Sequence, residues 1–272
     1  MIFADDPHRL WALLILAFLA LAEYCWRVYR VRKGYDVRSA LASLGVMAAG
    51  ALIKPFGAVV IGGAFIGTAA LAPWQFAVND WRVWFTGFFA VEFSYYWFHR
   101  YSHTVRWLWT THAVHHSASE FTLPAAVRLG WTGVLSLGWV FYLPLILIGF
   151  PPLVVGTLLA ANLLYQYTLH TEAVGRLGPL ELVLNTPSHH RAHHASDTEF
   201  LDCNFGGVLI VFDRLFGTLR REPDGGELRY GLKRPLTSHN PIVIALHEWA
   251  RLFSDLKNEK VSNWPGLIFG KP

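Results

Sequence analysis

The sequence predicts an all-α protein: a polytopic membrane helical bundle of four to five spans with a cytoplasmic, helical, histidine-rich cap. Apolar residues make up 53% of the chain and charged residues only 15%, whereas about 25% of an average soluble domain is charged. Long apolar runs recur from residue 10 to residue 169. Most of the histidines stand at or beyond the ends of these runs. Together these observations favour a chain that crosses a bilayer repeatedly.

The first apolar run, 10–26, is predicted to be an uncleaved span. Five basic residues follow it: Arg27, Arg30, Arg32, Lys33 and Arg38. Because Lys and Arg are enriched in cytoplasmic loops, this loop is placed inside and the N-terminus outside. The competing interpretation is a secretory signal, since Ala20-Leu-Ala22 resembles a cleavage site. However, Asp5 and Asp6 stand where such a signal carries positive charge.

The second run, 41–72, is interrupted by Lys54-Pro55. It is predicted to be one kinked span, or a short interfacial helix followed by a span at 56–72. Loop 73–82 would then face outward. The remaining predicted spans are 83–98, 131–149 and 153–169, and Pro151-Pro152 separates the last two. This alternation brings every clustered histidine to the cytoplasmic side.

The chain beyond residue 171 is predicted to form the cytoplasmic cap. Asn240-Pro241 is typical of a helix start. Apolar residues then recur at helical spacing: Ile242, Leu246, Trp249, Phe253 and Leu256. Core packing of the cap and a helix lying on the bilayer surface explain this pattern equally well.

Three histidine motifs carry the chemistry. They are His99 and His103; His112, His115 and His116; and His190, His193 and His194. Spacings of three and four residues place the members of each motif on one helical face. With His170 and His189 they hold ten of the thirteen histidines. We assign the other three, His8, His239 and His247, to ordinary solvated or hydrogen-bonded roles.

Eight imidazoles exceed the four ligands of one tetrahedral zinc ion, so they suit two metal ions. Imidazole binds iron, zinc and copper alike, and the ligand type alone does not identify the metal. The chain has no HExxH motif, which argues against a zinc protease. Cys25 and Cys203 lie far apart and form no CxxC motif, which argues against a thiolate zinc site. A net charge of +4 without a basic stripe predicts no nucleic-acid partner.

Several polar residues are candidates for supporting roles around the histidines. Glu92 and Tyr96 share a helical face with His99 and His103, and Glu92 lies about 10 Å below His99 by helix rise. An acidic residue inside a span is costly, so Glu92 is assigned a supporting or proton-handling role, with an interhelical hydrogen bond as the alternative. Ligating histidines need a partner for the second ring nitrogen. The candidates are Glu172, Asn185, Asp202 and Asn204.

The three motifs, their order and their spans resemble the fatty acid hydroxylase/sterol desaturase superfamily of membrane di-iron enzymes, which has an eight-histidine pattern. Four further segments are most similar to alkylglycerol monooxygenases and their bacterial relatives. These are Leu169-His-Thr-Glu172, Leu177-Gly-Pro-Leu-Glu181, Asn185-Thr-Pro-Ser-His-His-Arg-Ala-His-His194 and the stretch 204–218. The resemblance covers roughly 85–235, with weaker similarity toward the end of the chain.

The resemblance implies two iron ions, O2 as co-substrate, and oxidation of a C–H bond of a lipid substrate. It also implies an external electron donor, either tetrahydrobiopterin or a redox protein. It makes His170 a further metal ligand. His189 has no counterpart in the eight-histidine pattern, and it is kept as a candidate ligand independently of the resemblance. On this interpretation 1–82 is an N-terminal transmembrane region, 83–235 the di-iron catalytic domain, and 236–272 a C-terminal amphipathic helix and tail.

The sequence does not separate a lipid hydroxylase (monooxygenase) from a sterol or lipid desaturase of the same family. The alternatives from other classes are a non-catalytic membrane metal transporter or sensor and a b-type haem carrier. A transporter would place ligands along a path near the bilayer midplane. A haem carrier would pair a few histidines across facing spans. The histidines cluster on one side of the membrane, which counts against both alternatives. That membrane is predicted to be the inner membrane of a bacterium.

Overall fold

The computed structural model describes residues 7–272, apart from the side chains of residues 7–10, 12 and 13. Asp5, Asp6 and the side chain of His8 therefore lie outside the described residues. The described chain is helical and contains no β-strand beyond two isolated bridges. The all-α prediction is confirmed.

Twelve α-helices follow one another along these residues. They are α1 Pro7–Cys25, α2 Val37–Leu71, α3 Trp81–Thr104, α4 Arg106–His116, α5 Leu123–Ala126, α6 Gly133–Ser136, α7 Leu143–Ile148, α8 Pro152–Leu169, α9 Pro187–His194, α10 Val211–Leu215, α11 Pro241–Asn258 and α12 Trp264–Phe269. A π-helical turn, Trp26–Arg30, continues α1. Short 3₁₀ segments lie at Gly138–Tyr142, Gly178–Leu182, Thr198–Phe200 and Val261–Asn263.

Two helices of the described chain, α2 and α8, are long and apolar enough to cross a membrane. Helix α2 runs through Pro55 without a break, so the second apolar run forms one helix. Its 35 residues extend about 52 Å at 1.5 Å per residue, whereas a bilayer core is about 30 Å thick. Large apolar side chains cover its surface, and Leu52, Phe56 and Val59 are 76–78% exposed. Such a surface suits contact with lipid tails.

Helix α3 covers the predicted span 83–98 as one helix and begins after Asp80, whose carboxylate accepts the N–H of Arg82. The predicted span 131–149 is not one helix. It is divided into α6, a 3₁₀ segment and α7. Leu137 breaks it by adopting a left-handed conformation (φ +62°). The segment after the break packs tightly, since a Cβ on Gly138 would lie 2.3 Å from the ring of Phe98.

The helices that position the histidines contact one another through α3 and α8. Helix α3 contacts α4 and α8, α9 contacts α8, and α11 contacts α4 and α2. Between α3, α7 and α8 lies the largest apolar core, which includes Val91, Tyr142, Ile146 and Val154. These contacts bring the ends of α3 and α8, the whole of α9 and one face of α4 to one place.

Helix α11 begins as predicted, with the Asn240 side chain accepting the N–H of Ile242 at 2.9 Å. The apolar face predicted for it is divided between two environments. Trp249 and Leu256 are buried, while Leu246 and Phe253 are exposed. Core packing therefore explains one part of the pattern, and an apolar surface remains on the other.

Candidate metal centre

Nine histidines converge in two groups, and the ligand nitrogens of each group lie within 4.8 Å of one another. The five-histidine group contains His99, His103, His112, His116 and His193. The four-histidine group contains His115, His170, His190 and His194. Except for the partly buried His112, all nine side chains are buried.

The two HxxHH motifs divide between the groups in complementary ways. On α4, His112 and His116 enter the five-histidine group and His115 the four-histidine group. On α9 the pattern reverses, since only His193 joins the five-histidine group. At 3.6 residues per turn, residue i+4 lies about 40° to one side of residue i around the helix axis, and residue i+3 lies about 60° to the other side. Each helix therefore supplies both groups, and the groups adjoin.

Backbone carbonyl groups orient three of these rings. The Nδ1 of His99 lies 2.8 Å from the oxygen of Phe205, and the Nδ1 of His193 lies 2.7 Å from that of Cys203. The Nδ1 of His170 lies 2.7 Å from the oxygen of Gln166. A carbonyl oxygen only accepts, so each Nδ1 carries the proton and each Nε2 presents a lone pair.

The nitrogens that face one another within each group fit a bound metal. The Nε2 atoms of His99 and His112 are 3.1 Å apart, and the Nε2 of His170 lies 3.0 Å from those of both His115 and His190. Within the described chain, the buried Nε2 atoms of His103, His193 and His194 have no hydrogen-bond partner. Burying such nitrogens unpaired is costly. A cation shared by the converging lone pairs removes that cost.

Burial keeps these imidazoles neutral. It lowers the pKa of His193 to about 4 and that of His170 to about 3. Burial is also the main cause that lowers the pKa of a further set well below the ordinary value: His112, His115, His116, His190 and His194. Neutral imidazole is the form that binds a metal, so near pH 7 no proton has to leave these rings.

Glu92 lies away from the rings and joins three parts of the fold. One carboxylate oxygen accepts the side-chain amide of Asn162 at 2.5 Å, and the other accepts the N–H groups of Val208 and Leu209 at 2.8 and 2.9 Å. Asn162 in turn accepts from Gln166, whose carbonyl holds His170. The carboxylate thus holds α3, α8 and the loop that follows α9 together.

Tyr96 also points away from the histidines. Its hydroxyl lies 3.0 Å from the hydroxyl of Thr218 and accepts from Arg100 at 3.0 Å. Its ring stacks on Phe216 at 5.2 Å. These contacts pack α3 against α10 and the residues after it.

The four candidate partners of the ring nitrogens mostly hold other groups. Glu172 pairs with Arg27 at 2.6 Å. Asn185 donates to the carbonyl of Gly206, and Asn204 donates to the carbonyls of His189 and Arg220. Asp202 alone faces a clustered ring, but its oxygen is 3.9 Å from the Nδ1 of His103, which is too long for a hydrogen bond.

Asp213 is a supporting residue that the sequence analysis missed. Its carboxylate accepts the N–H groups of Phe205 and Gly206, both at 2.7 Å, and the hydroxyl of Thr218 at 2.6 Å. It therefore fixes the backbone whose carbonyl holds His99. Burial raises the pKa of Asp213 to about 6. An acidic residue within the apolar stretch 208–216 was the available signal.

His189 lies in neither group. Its side chain is buried, and its Nδ1 is 3.5 Å from the hydroxyl of Thr186. His239 and His247 also lie outside both groups.

The surroundings of the two groups differ. A cavity of about 400 Å³ opens onto His103, His116 and His193 of the five-histidine group. Phe121 covers the four-histidine group, with its ring 5.4 Å from His170 and 5.3 Å from His194. Tyr230 stacks on Phe121, with ring centroids 5.1 Å apart. Only the five-histidine group is reached from this cavity.

Comparison with known proteins agrees with this geometry. The family model for fatty acid hydroxylase matches residues 84–218, which contain all nine clustered histidines. The chain carries a fatty acid hydroxylase domain. The family resemblance inferred from the sequence is confirmed, and the histidine groups of this domain are compatible with iron binding.

Curated relatives of the chain act on lipids, as their names state. This chain is 40% identical over 208 residues to alkylglycerol monooxygenase of Homo sapiens and 46% identical over 208 residues to that of Danio rerio. The aligned residues make up 74% of this chain and 45% of each relative. The chain is 28% identical over 236 residues to ornithine lipid hydroxylase OlsE of Rhizobium tropici, covering 81% of this chain and 70% of the relative. The chain thus spans less than half the length of these alkylglycerol monooxygenases. No solved structure matches it significantly.

Proposed function

We propose that this chain is an integral membrane, O2-dependent di-iron oxidoreductase that hydroxylates a C–H bond of a lipid. The observation that carries the proposal is the convergence of nine imidazoles in two adjoining groups inside a fatty acid hydroxylase domain. The names of the relatives, alkylglycerol monooxygenase and ornithine lipid hydroxylase, support a lipid substrate.

The five-histidine group would hold one iron ion and the four-histidine group the other, with His170 as a ligand in the second set. His189 is left out of this ligand set because it reaches neither group. Bound iron with O2 would supply the oxidation of an unactivated C–H bond, which no amino-acid side chain can perform.

The protein's own residues would orient the ligands and exclude water. The carbonyl groups of Phe205, Cys203 and Gln166 hold three rings with Nε2 facing inward. Phe121 and Tyr230 shield the four-histidine group. Such fixed ligands and a dry surrounding are what a metal site needs for controlled oxidation.

The arrangement in the membrane is part of the proposal. We infer four to five spans drawn from α1, α2, α3, the broken segment 131–149 and α8. The histidine groups would lie on the cytoplasmic side of a bacterial inner membrane. The divisions 1–82, 83–235 and 236–272 would be a transmembrane region, the catalytic domain, and an amphipathic helix with its tail. Tetrahydrobiopterin or a redox protein would supply electrons.

A desaturase would use the same ligands, and only its product would differ. A metal transporter would need ligands spaced along a path, whereas these nitrogens crowd within 4.8 Å in each group. The crowding supports an enzyme.

Lipid profiling of cells with and without the gene, grown under ¹⁸O2, tests the proposal. The expected result is a lipid that gains one labelled oxygen with the wild-type protein and with His247→Ala, but not with His115→Ala. A lipid that instead loses two hydrogens would identify the desaturase. If the lipids of all strains agree, the proposed function is wrong.

A further inference from the structure

The cavity beside the five-histidine group has walls of mixed charge. Five basic side chains line it: Arg106, Lys233, Arg234, Arg251 and Lys271. Three acidic side chains line it: Asp202, Glu248 and Asp255. Counting side chains alone, the lining carries two more formal positive charges than negative ones; Pro272, the last residue, also lines the cavity. Its volume of about 400 Å³ is within the range of small-molecule sites, roughly 300–1,000 Å³.

The excess positive charge can be assigned to two residues. Each acidic side chain is already paired: Lys271 binds Asp202, Arg251 binds Glu248, and Arg106 binds Asp255. The ion pairs of the described residues include neither Lys233 nor Arg234. Both are exposed at the mouth and follow Gly231, whose φ of +107° turns the chain there.

The floor of the cavity adds no negative charge. His103, His116 and His193 form part of it, and the buried Nε2 atoms of His103 and His193 have no hydrogen-bond partner in the described chain. A cation held by these rings would make the floor positive. Two adjacent basic side chains above such a floor attract anions, and Arg can bind phosphate or carboxylate through two parallel hydrogen bonds.

We propose that Lys233 and Arg234 bind an anionic phosphate or carboxylate group at the mouth of this cavity, next to the five-histidine group. The group would belong to the headgroup of a lipid or to a small soluble molecule that reaches the site from the water. The inference rests on the proposed function, since it concerns what approaches the same site, but anion binding itself requires no oxidation.

Calorimetric titration of the metal-loaded protein in a non-ionic detergent tests this site. The probes are inorganic phosphate, dihexanoyl phosphatidic acid and dihexanoyl phosphatidylcholine. We expect wild-type protein to bind both anionic probes and not the zwitterionic lipid. Lys233→Gln with Arg234→Gln should weaken that binding by about tenfold or more, since two charge-assisted contacts are lost. The control variant, Lys257→Gln with Lys260→Gln, removes the same charge outside the cavity lining, and it should leave the binding of both anionic probes unchanged.

The two anionic probes distinguish the sources. Tighter binding of phosphatidic acid than of phosphate supports a lipid headgroup, while equal binding supports a small soluble anion. If neither anion binds, or if the two double variants bind equally well, the site at Lys233 and Arg234 is refuted. Failure to find an oxidised lipid would refute the proposed function alone, because the titration does not depend on turnover.

Discussion

His116 and His194 stack face to face, with ring centroids 4.2 Å apart and planes 15° from parallel, although they belong to different histidine groups. One ring comes from α4 and the other from α9. The contact makes the two groups neighbours rather than separate sites. It also explains why α4 and α9 carry the same HxxHH spacing, since each helix must supply both groups.

Replacing Asp213 with Asn should weaken metal binding without removing any ligand. Asn keeps one acceptor oxygen but points an N–H₂ donor at the N–H of Phe205 or Gly206. The carbonyl of Phe205 then no longer fixes His99. Loss of such support typically lowers metal affinity by about 10- to 100-fold. Competition with a chelator of known affinity measures the change.

Asp224→Asn is the control for this experiment. Asp224 is 89% exposed and pairs with Arg176 on the surface, so metal affinity should not change. An Asp213→Asn protein that holds metal as tightly as the wild type would show that the Phe205 carbonyl is not important for the site.

Replacing Glu92 with Gln should lower stability. The carboxylate accepts three hydrogen bonds, and Gln offers only one acceptor oxygen. One buried donor is left unpaired, at a cost of roughly 1–3 kcal/mol. Thermal unfolding in detergent measures the loss, with the exposed substitution Glu259→Gln as control. If Glu92 instead handles protons, the variant will unfold like the wild type and its rate will change with a shifted pH profile.

The metal-free protein should lose stability as the pH falls below about 6.5. Burial lowers the folded-state pKa of His193 to about 4 and of His170 to about 3, below the unfolded value of about 6.5. At pH values between the folded-state and unfolded-state pKa, the unfolded chain binds more protons than the folded protein. The free energy of unfolding therefore falls by up to ~1.4 kcal/mol per pH unit for each such histidine as the pH is lowered. Above pH 7 they contribute no slope.

Unfolding temperatures measured from pH 8 to pH 5 check this sign. They should fall as the pH drops from 7 to 5, because the several buried histidines outweigh Asp213, whose raised pKa acts in the opposite direction. His193→Gln removes one of the proton sites and should make the fall shallower. Temperatures that stay constant or rise toward pH 5 would mean that the rings are not buried as described.

Cysteine labelling tests the proposed membrane arrangement. Cys25 is exposed and Cys203 is buried, so Cys25→Ser gives a suitable background. Lys257→Cys, in α11, should react with a membrane-impermeant maleimide only after cell lysis. Gln75→Cys, in the loop between α2 and α3, should react in intact cells. Labelling of both from the same side would contradict the alternation of spans.

The helical class and several helix positions could be predicted from the sequence because their causes are local. Apolar composition marks α2 and α8, and Asn240-Pro241 marks the start of α11. The break in 131–149 could not be predicted. Apolar composition is the same for a span and for short packed helices, and nothing in the sequence signals the left-handed conformation of Leu137.

The clustering of the histidines was predictable from spacing, but their division into two groups was not. Helical spacing places His112, His115 and His116 near one another, while the position of α9 decides which ring joins which group. The backbone carbonyl groups that hold His99, His170 and His193 could not be predicted from the sequence either, because any residue can present a backbone oxygen. Glu92 and Asp213 also accept backbone N–H groups, and rules for pairing side chains could not predict these partners.

Metal content per chain, measured on anaerobically purified protein, tests most directly whether the two histidine groups hold two ions. We expect two iron ions per wild-type chain and two in His247→Ala, which lies outside both groups. We expect loss of metal in His115→Ala and in His99→Ala. One ion or none in the wild type, or equal metal in His115→Ala and His247→Ala, would overturn the assignment of one iron ion to each histidine group.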